Sequence, residues 1–383
     1  MNGFLVRRAV VALLAAAVVP FAAAQSGDPV RLGVMLPLTG GAALAGTSLL
    51  EGVKFAADEA NAKGGIKGRP IQLFIENDEA STTKGVTAVR KLIESDKVIA
   101  ISGTYASAVA LAAFKVAREY KVPMISAGST SSNVTDANTP GDPWFFRAFP
   151  GSDEQGAQSA RDIVKKLNAK KVAVLYENSI YGSSLMEQMK KMIPQYGGEI
   201  VSVESYNGDE RDFYSVLTKV RAKQPDAIYI AGLMDAGAQI IKQSREVGMK
   251  TALIGSGSMM SDKLVELAGP ASEGFAVSSM FEPATPNKFG QAFTQAWRQK
   301  MKKEPDLYSA LGYDSMHVLI EAARRAPKLD GASIQATLKT MKDVPLAEGP
   351  DGTFSTFDEK GSVSFKIGLA VVRNGKRQWL PFD

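Results

Sequence analysis

Two short turns rich in glycine and hydroxyl residues carry the clearest chemistry in this sequence: Gly103-Thr104-Tyr105-Ala106-Ser107 and Gly128-Ser129-Thr130. Each ends a β-rich run, residues 98–102 in one case and 122–127 in the other, and the first turn leads into an Ala-rich helical stretch at 106–121. A strand end, a flexible turn and a helix start present free backbone N–H groups and the positive end of a helix dipole. Ser107 adds a hydroxyl beside those amides. Gly128 permits close backbone approach, and Ser129 and Thr130 add two further hydroxyls. This chemistry suits a carboxylate. Either turn alone also reads as ordinary helix capping by Ser or Thr; two such turns in adjacent units favour a site.

The parts for catalysis are missing. The chain has no cysteine and one histidine, His317, inside a helical pattern at 307–326. A Cys nucleophile is therefore excluded, and with the one histidine inside a helical segment neither a His-rich metal centre nor a Ser-His-Asp triad is expected. Gly255-Ser256-Gly257 lacks the third glycine of a dinucleotide fingerprint. The expectation is a protein that is not an enzyme, with no catalytic residue, no metal and no cofactor, and with His317 packed in or on its helix.

The elements that would position the two turns alternate regularly. Strand-like runs at 30–37, 70–76, 98–102 and 122–127 alternate with helical runs at 49–63, 85–95 and 106–121. After Arg147 the pattern restarts, with helices at 155–167, 183–196, 213–222 and 236–247 and strands at 171–176, 199–205, 226–231 and 251–255. A helical pair at 288–303 and 307–326 follows, and then β-like segments at 352–356, 363–372 and 378–382. Such alternation predicts an α/β protein with two doubly wound, mainly parallel sheets. The Pro-, Gly- and Asp-containing stretch 136–143 reads as a boundary between the two blocks.

Composition narrows the partners. Residues 1–24 carry Arg7 and Arg8, an apolar run at 9–19 and Ala22-Ala23-Ala24, the pattern of a cleaved export signal whose core is too short to span a bilayer. The expected location is the periplasm of a two-membrane bacterium. With no cysteine in the chain, neither lipidation of a new N-terminus nor a disulfide is expected. The net charge is +5, and removing Arg7 and Arg8 leaves +3. That is too little to predict nucleic acid or anionic lipid as a partner; a monomer with no direct membrane insertion is expected.

Six segments together resemble the periplasmic solute-binding proteins of ABC importers, of the branched-chain amino-acid (leucine/isoleucine/valine) type. They are VRLGVMLPLT at 30–39, NAKGGIKGR at 61–69, SGTYASA at 102–108, VPMISAGST at 122–130, VLYENSIYG at 174–182 and LGYD at 311–314. The resemblance implies the type I periplasmic-binding fold: two lobes joined by a three-strand hinge, crossed near Phe149, Phe281 and Gly352. It divides the chain into residues 26–149 with 281–352, and 150–280 with 353–383. It also implies a ligand closed between the lobes and delivered to an inner-membrane ABC permease. A sensory module of the same fold is the rival reading.

By the same resemblance, Ser107, Gly128, Ser129 and Thr130 hold the carboxylate and part of the ammonium of an amino acid. Tyr181 covers the ligand from the second lobe, and Tyr105 and Tyr308 line the pocket from the first. The sequence departs from the family at Gly257, which stands where an acidic residue normally pairs with the ammonium. Either another acid takes that role, Asp235 being the nearest by topology, or the ligand is an amine-free aromatic or 2-oxo acid. Met234, Met259 and Met260 offer a soft apolar wall or simply fill the core.

Overall fold

The computed structural model describes residues 27–284, 286–350, 352–354 and 356–380. The export signal expected at 1–24 lies outside them. The first block forms β1 (Val30–Leu36), α1 (Ala43–Ala62), β2 (Ile71–Asn77), α2 (Thr82–Glu94), β3 (Ile101–Gly103), α3 (Ser107–Glu119), β4 (Met124–Ile125), α4 (Ser132–Thr135) and β5 (Phe145–Phe146). Its five strands pair in parallel in the order β2-β1-β3-β4-β5. Because β5 follows residues 136–143 and still pairs with β4, that stretch is a loop within the first sheet's connections, and the expected boundary there is corrected.

The second block forms α5 (Ser152–Arg161), which runs into a π-helical turn at Asp162–Lys166, then β6 (Lys171–Glu177), α6 (Ile180–Gln195), β7 (Glu199–Tyr206) and α7 (Tyr214–Arg221). It continues with β8 (Ala227–Ala231), α8 (Met234–Glu246), β9 (Ala252–Gly255), α9 (Asp262–Ala268) and β10 (Ala276–Ser279). The chain then adds α10 (Lys288–Met301), α11 (Leu307–Arg325), α12 (Gly331–Thr340), β11 (Val344–Pro345), β12 (Thr353–Phe354), β13 (Gly368–Arg373) and β14 (Lys376–Trp379). The second sheet runs β14-β13-β10-β9-β8-β6-β7, parallel from β7 to β10, with β13 and β14 antiparallel at its edge. β11 and β12 pair separately.

Burial explains why these runs are strands. All five residues of β8 are buried, as befits a strand covered by helices on both faces. The periodicity missed β5, β10, α9 and α12, which are too short or too mixed in composition to show a period. Helices α1 and α11 pack backbone to backbone. A Cβ on Gly52 would lie 2.0 Å from the Ser309 carbonyl oxygen, and one on Gly312 2.0 Å from that of Leu49. Beside them Phe55, Phe293, Trp297 and Tyr313 form an aromatic cluster. His317 stacks on Tyr313 at a centroid distance of 5.8 Å, and its burial lowers its pKa to about 4. It is a packed residue whose neutral ring completes that cluster.

Candidate functional site

In each sheet the strand order reverses beside its first strand: β1 lies between β2 and β3, and β6 between β7 and β8. Such reversals open a crevice at the carboxyl ends of the strands. A cavity of about 230 Å³ lies there, lined from one sheet by the residues after β1, β3 and β4 and from the other by those after β6, β8, β9 and β10. Tyr308 of α11 bridges the two sides, its hydroxyl donating to the Ser258 carbonyl at 2.7 Å. The two halves are thus closed on one another.

Ser107 is the first residue of α3, and no side chain caps that helix. Its Oγ accepts from Ser129 Oγ at 3.1 Å and from the Ser131 N–H at 3.4 Å, so the two turns are tied together at the helix N-terminus. The second turn is fixed from behind. Gly128 and Ser129 donate their N–H groups to the Thr104 carbonyl at 3.2 and 3.1 Å, and Ser126 Oγ accepts from the Ser129 N–H at 2.8 Å. Gly128 is required by the Tyr105 ring, since a Cβ would come within 2.9 Å of Tyr105 Cδ2. Arg147, fully buried, donates to the carbonyls of Thr130 and Ser131 at 2.9 and 3.1 Å and to Ser362 Oγ at 2.8 Å. Thr130 lines the cavity, and its Oγ1 is buried with no hydrogen-bond partner. A buried hydroxyl without a partner costs free energy until something fills its bonding capacity.

Aromatic rings close the cavity. Tyr105 and Tyr308 meet edge to face at 5.7 Å, with their hydroxyls 3.3 Å apart. Burial pushes both phenols up, so each stays a neutral donor. Tyr181, near the start of α6, is likewise pushed up by burial, with hydrogen bonds to Ser256 and Ser258 working against that shift. Gly257 opens a short 3-10 turn after β9. A Cβ there would approach Gln155 Oε1 to 3.3 Å, so the group facing this position is a neutral amide.

Tyr105, Ser107, Gly128, Thr130, Tyr181, Gly257 and Tyr308 all line the cavity. Ser129 does not; it is fully buried one layer behind, holding Ser107. Asp235 is exposed in the first turn of α8 and lines an adjoining cavity instead. Met259 and Met260 are buried, Met259 packing over Gly237 and Gly255, while Met280 reaches the cavity. Sequence reasoning missed Glu177, Gln155 and Arg147. Glu177 ends β6, where the strand-end rule could have found it; Gln155 and Arg147 give no local signal.

A family model for periplasmic binding proteins matches residues 29–377. The chain belongs to the periplasmic binding proteins. This periplasmic binding protein has the type I fold of two doubly wound lobes, and members of its family capture solutes without transforming them. An amino acid binding protein of Pseudomonas aeruginosa is 30% identical over 342 residues, 89% of this chain and 90% of its own. The crystal structure of the leucine-binding protein LivK of Thermotoga maritima matches with a TM-score of 0.85 at 29% identity, covering 92% of this chain and 98% of that one. An ABC-transporter solute-binding protein of Rhodopseudomonas palustris, solved with 3,4-dihydroxybenzoic acid, matches with a TM-score of 0.79 at 26% identity, covering 91% and 95%.

Proposed function

We propose that this protein is the solute-capturing component of an ABC importer. Its two lobes close over a small carboxylate-bearing ligand, a branched-chain or aliphatic amino acid or a related acid, for delivery to an inner-membrane permease. The observation that carries this reading is Thr130 Oγ1, partnerless and buried beside Ser107 at the uncapped start of α3, in a cavity whose walls are mostly apolar. A carboxylate there gains the helix N-terminus and two hydroxyls while its apolar remainder meets the tyrosines. Leucine recognition by the relative LivK supports the amino-acid form.

The lobes in this proposal are 26–149 with 281–352, and 150–280 with 353–383, except that the third crossing falls later than Gly352. Phe357 packs on Phe146, and Gly361 accepts from the Arg147 N–H at 2.8 Å, which supports a crossing after Ser362. Export by the signal at 1–24 and action as a periplasmic monomer belong to the same proposal. No described helix is long and apolar enough to cross a membrane.

Gly257 favours a second reading, an amine-free aromatic or 2-oxo acid, and the dihydroxybenzoate held by the Rhodopseudomonas relative supports it. Thermal shift with leucine, 4-methyl-2-oxopentanoate and benzoate decides, using protein unfolded and refolded to strip any carried ligand. A ligand at a hundred times its dissociation constant adds about 2.7 kcal/mol. A shift with leucine alone establishes the amino-acid form, and a shift with the other acids alone establishes the second reading. No shift with any carboxylate would overturn both.

A further inference from the structure

The cavity does not end at the tyrosines. A second one, of about 250 Å³, shares Ala42, Ala80, Tyr105, Glu177, Leu233 and Tyr308 with it but includes none of Ser107, Gly128, Thr130, Gln155 or Gly257. Glu177 therefore stands where the main cavity meets the second one. Among the described residues it is the only charged one on the main cavity's wall. The residue is 8% exposed, and its Oε2 accepts one backbone N–H, from Leu233 at 3.2 Å. Among the described residues no Lys or Arg forms an ion pair with it. Arg211 lines the second cavity, but its Nη1 is engaged by the carbonyls of Gly208 and Glu210 at 3.2 and 2.8 Å. Asp235 lines that second cavity as well, adding negative charge on the same side.

A nearly buried carboxylate with one hydrogen bond is short of a counter-charge. The position where the resemblance puts an acidic partner for an α-ammonium is Gly257, which lines the same cavity and faces the neutral Gln155 amide. We infer that the ligand carries its cation at the end remote from its carboxylate: an ω-amino acid spanning from Ser107 and Thr130 to Glu177, its apolar spacer gripped by Tyr105, Tyr181 and Tyr308. This inference rests on the carboxylate reading proposed above and assigns Glu177, which the sequence did not single out, as the residue that sets specificity. A net-negative wall also disfavours a plain anion, which a zwitterion with a distal ammonium relieves.

Isomers make the test. Calorimetric affinities are measured for 4-aminobutanoate, 5-aminopentanoate and 6-aminohexanoate, for their 2-amino isomers, and for the unsubstituted acids of the same chain lengths. At least one ω-amino acid is expected to bind about tenfold or more tighter than both its 2-amino isomer and its parent acid. Glu177→Gln keeps an acceptor for the Leu233 N–H and removes the charge; it should abolish that advantage, and the parent acid should bind more tightly because the wall loses its negative charge. If the parent acids bind and no ω-amino form does better, or if the advantage survives Glu177→Gln, this inference falls and the carboxylate reading stands. If none of the nine compounds binds, both fall. The wild-type comparison needs no variant, so a folding defect in Glu177→Gln cannot obscure it.

Discussion

Thr130 holds an unsatisfied hydroxyl in the folded state, and that makes its two contributions separable. In Thr130→Val the shape is kept and no intramolecular hydrogen bond is lost, so the unliganded melting midpoint should stay level or rise. Carboxylate affinity should fall by about 1.5–3 kcal/mol, the range for a hydrogen bond to a charged group. A calorimetric titration of both proteins against one carboxylate checks this, and equal affinities would remove Thr130 from the site. Asp314 in the LGYD segment illustrates a different residue-scale effect. Its carboxylate accepts the N–H groups of Ala347 and Glu348 at 2.8 and 3.0 Å, beside Glu348, whose own oxygens are buried without partners. Burial raises Asp314 from 3.8 to about 7 and pushes Glu348 up as well, with the Asp314 charge adding to the latter shift. A raised pKa means the folded state holds the proton more tightly. The resulting stability is present below about pH 4 and is lost as pH rises through about 7. Asp314→Asn, which cannot ionise, should be less stable than wild type near pH 4, with the gap narrowing by up to about 1.4 kcal/mol per pH unit toward neutrality. Urea denaturation across that range reads it; a constant gap would contradict it.

At the scale of elements, the α1–α11 pair decides where the first lobe's wall of the cleft stands. Tyr308 and Leu311 reach the cavity from α11, and that helix is seated by Gly52 and Gly312, where no side chain fits between the backbones. Gly312→Ala places a methyl 2.0 Å from the Leu49 carbonyl oxygen, which the rigid helices cannot yield without sliding apart. A loss of about 2–4 kcal/mol of stability is expected in urea unfolding. Ligand affinity should weaken with it, because the displaced helix carries Tyr308. The start of α3 depends on its neighbours in the same way. Arg147 and Ser129 hold the second turn against it from behind, without touching the cavity.

At the scale of the whole molecule, one polar link across the cleft is made by Tyr308. The Tyr308 hydroxyl donates across the cleft to the Ser258 carbonyl at 2.7 Å, joining the first lobe's α11 to the turn after β9. Tyr308→Phe keeps the ring and removes that link, which is worth about 0.5–1.5 kcal/mol. The open state should gain population, and ligand affinity should fall by up to about tenfold. Small-angle X-ray scattering would show the variant more expanded without ligand and compacting only at higher ligand concentration; identical curves for the two proteins would show that closure rests on other contacts.

How much of this was legible in the sequence follows from what each signal encodes. Strand and helix alternation, the two hydroxyl-bearing turns and the absence of cysteine are local or compositional, so the α/β class, the two sheets and Ser107 and Thr130 could be read directly from them. Short elements such as β5 and β10 left no period. The burial of Ser129 behind Ser107, the exposure of Asp235 and the place of Glu177 between two cavities depend on which strand ends face each other. Residues 107, 177 and 308 are far apart in the chain; only the packing of two sheets across a closed cleft brings them together. The sequence by itself determined the longer elements and the chemistry of their ends, because backbone propensity and side-chain type act over a few residues. The tertiary structure alone decided which of those ends share one cavity and where its charge lies, because burial and proximity are properties of the packed whole.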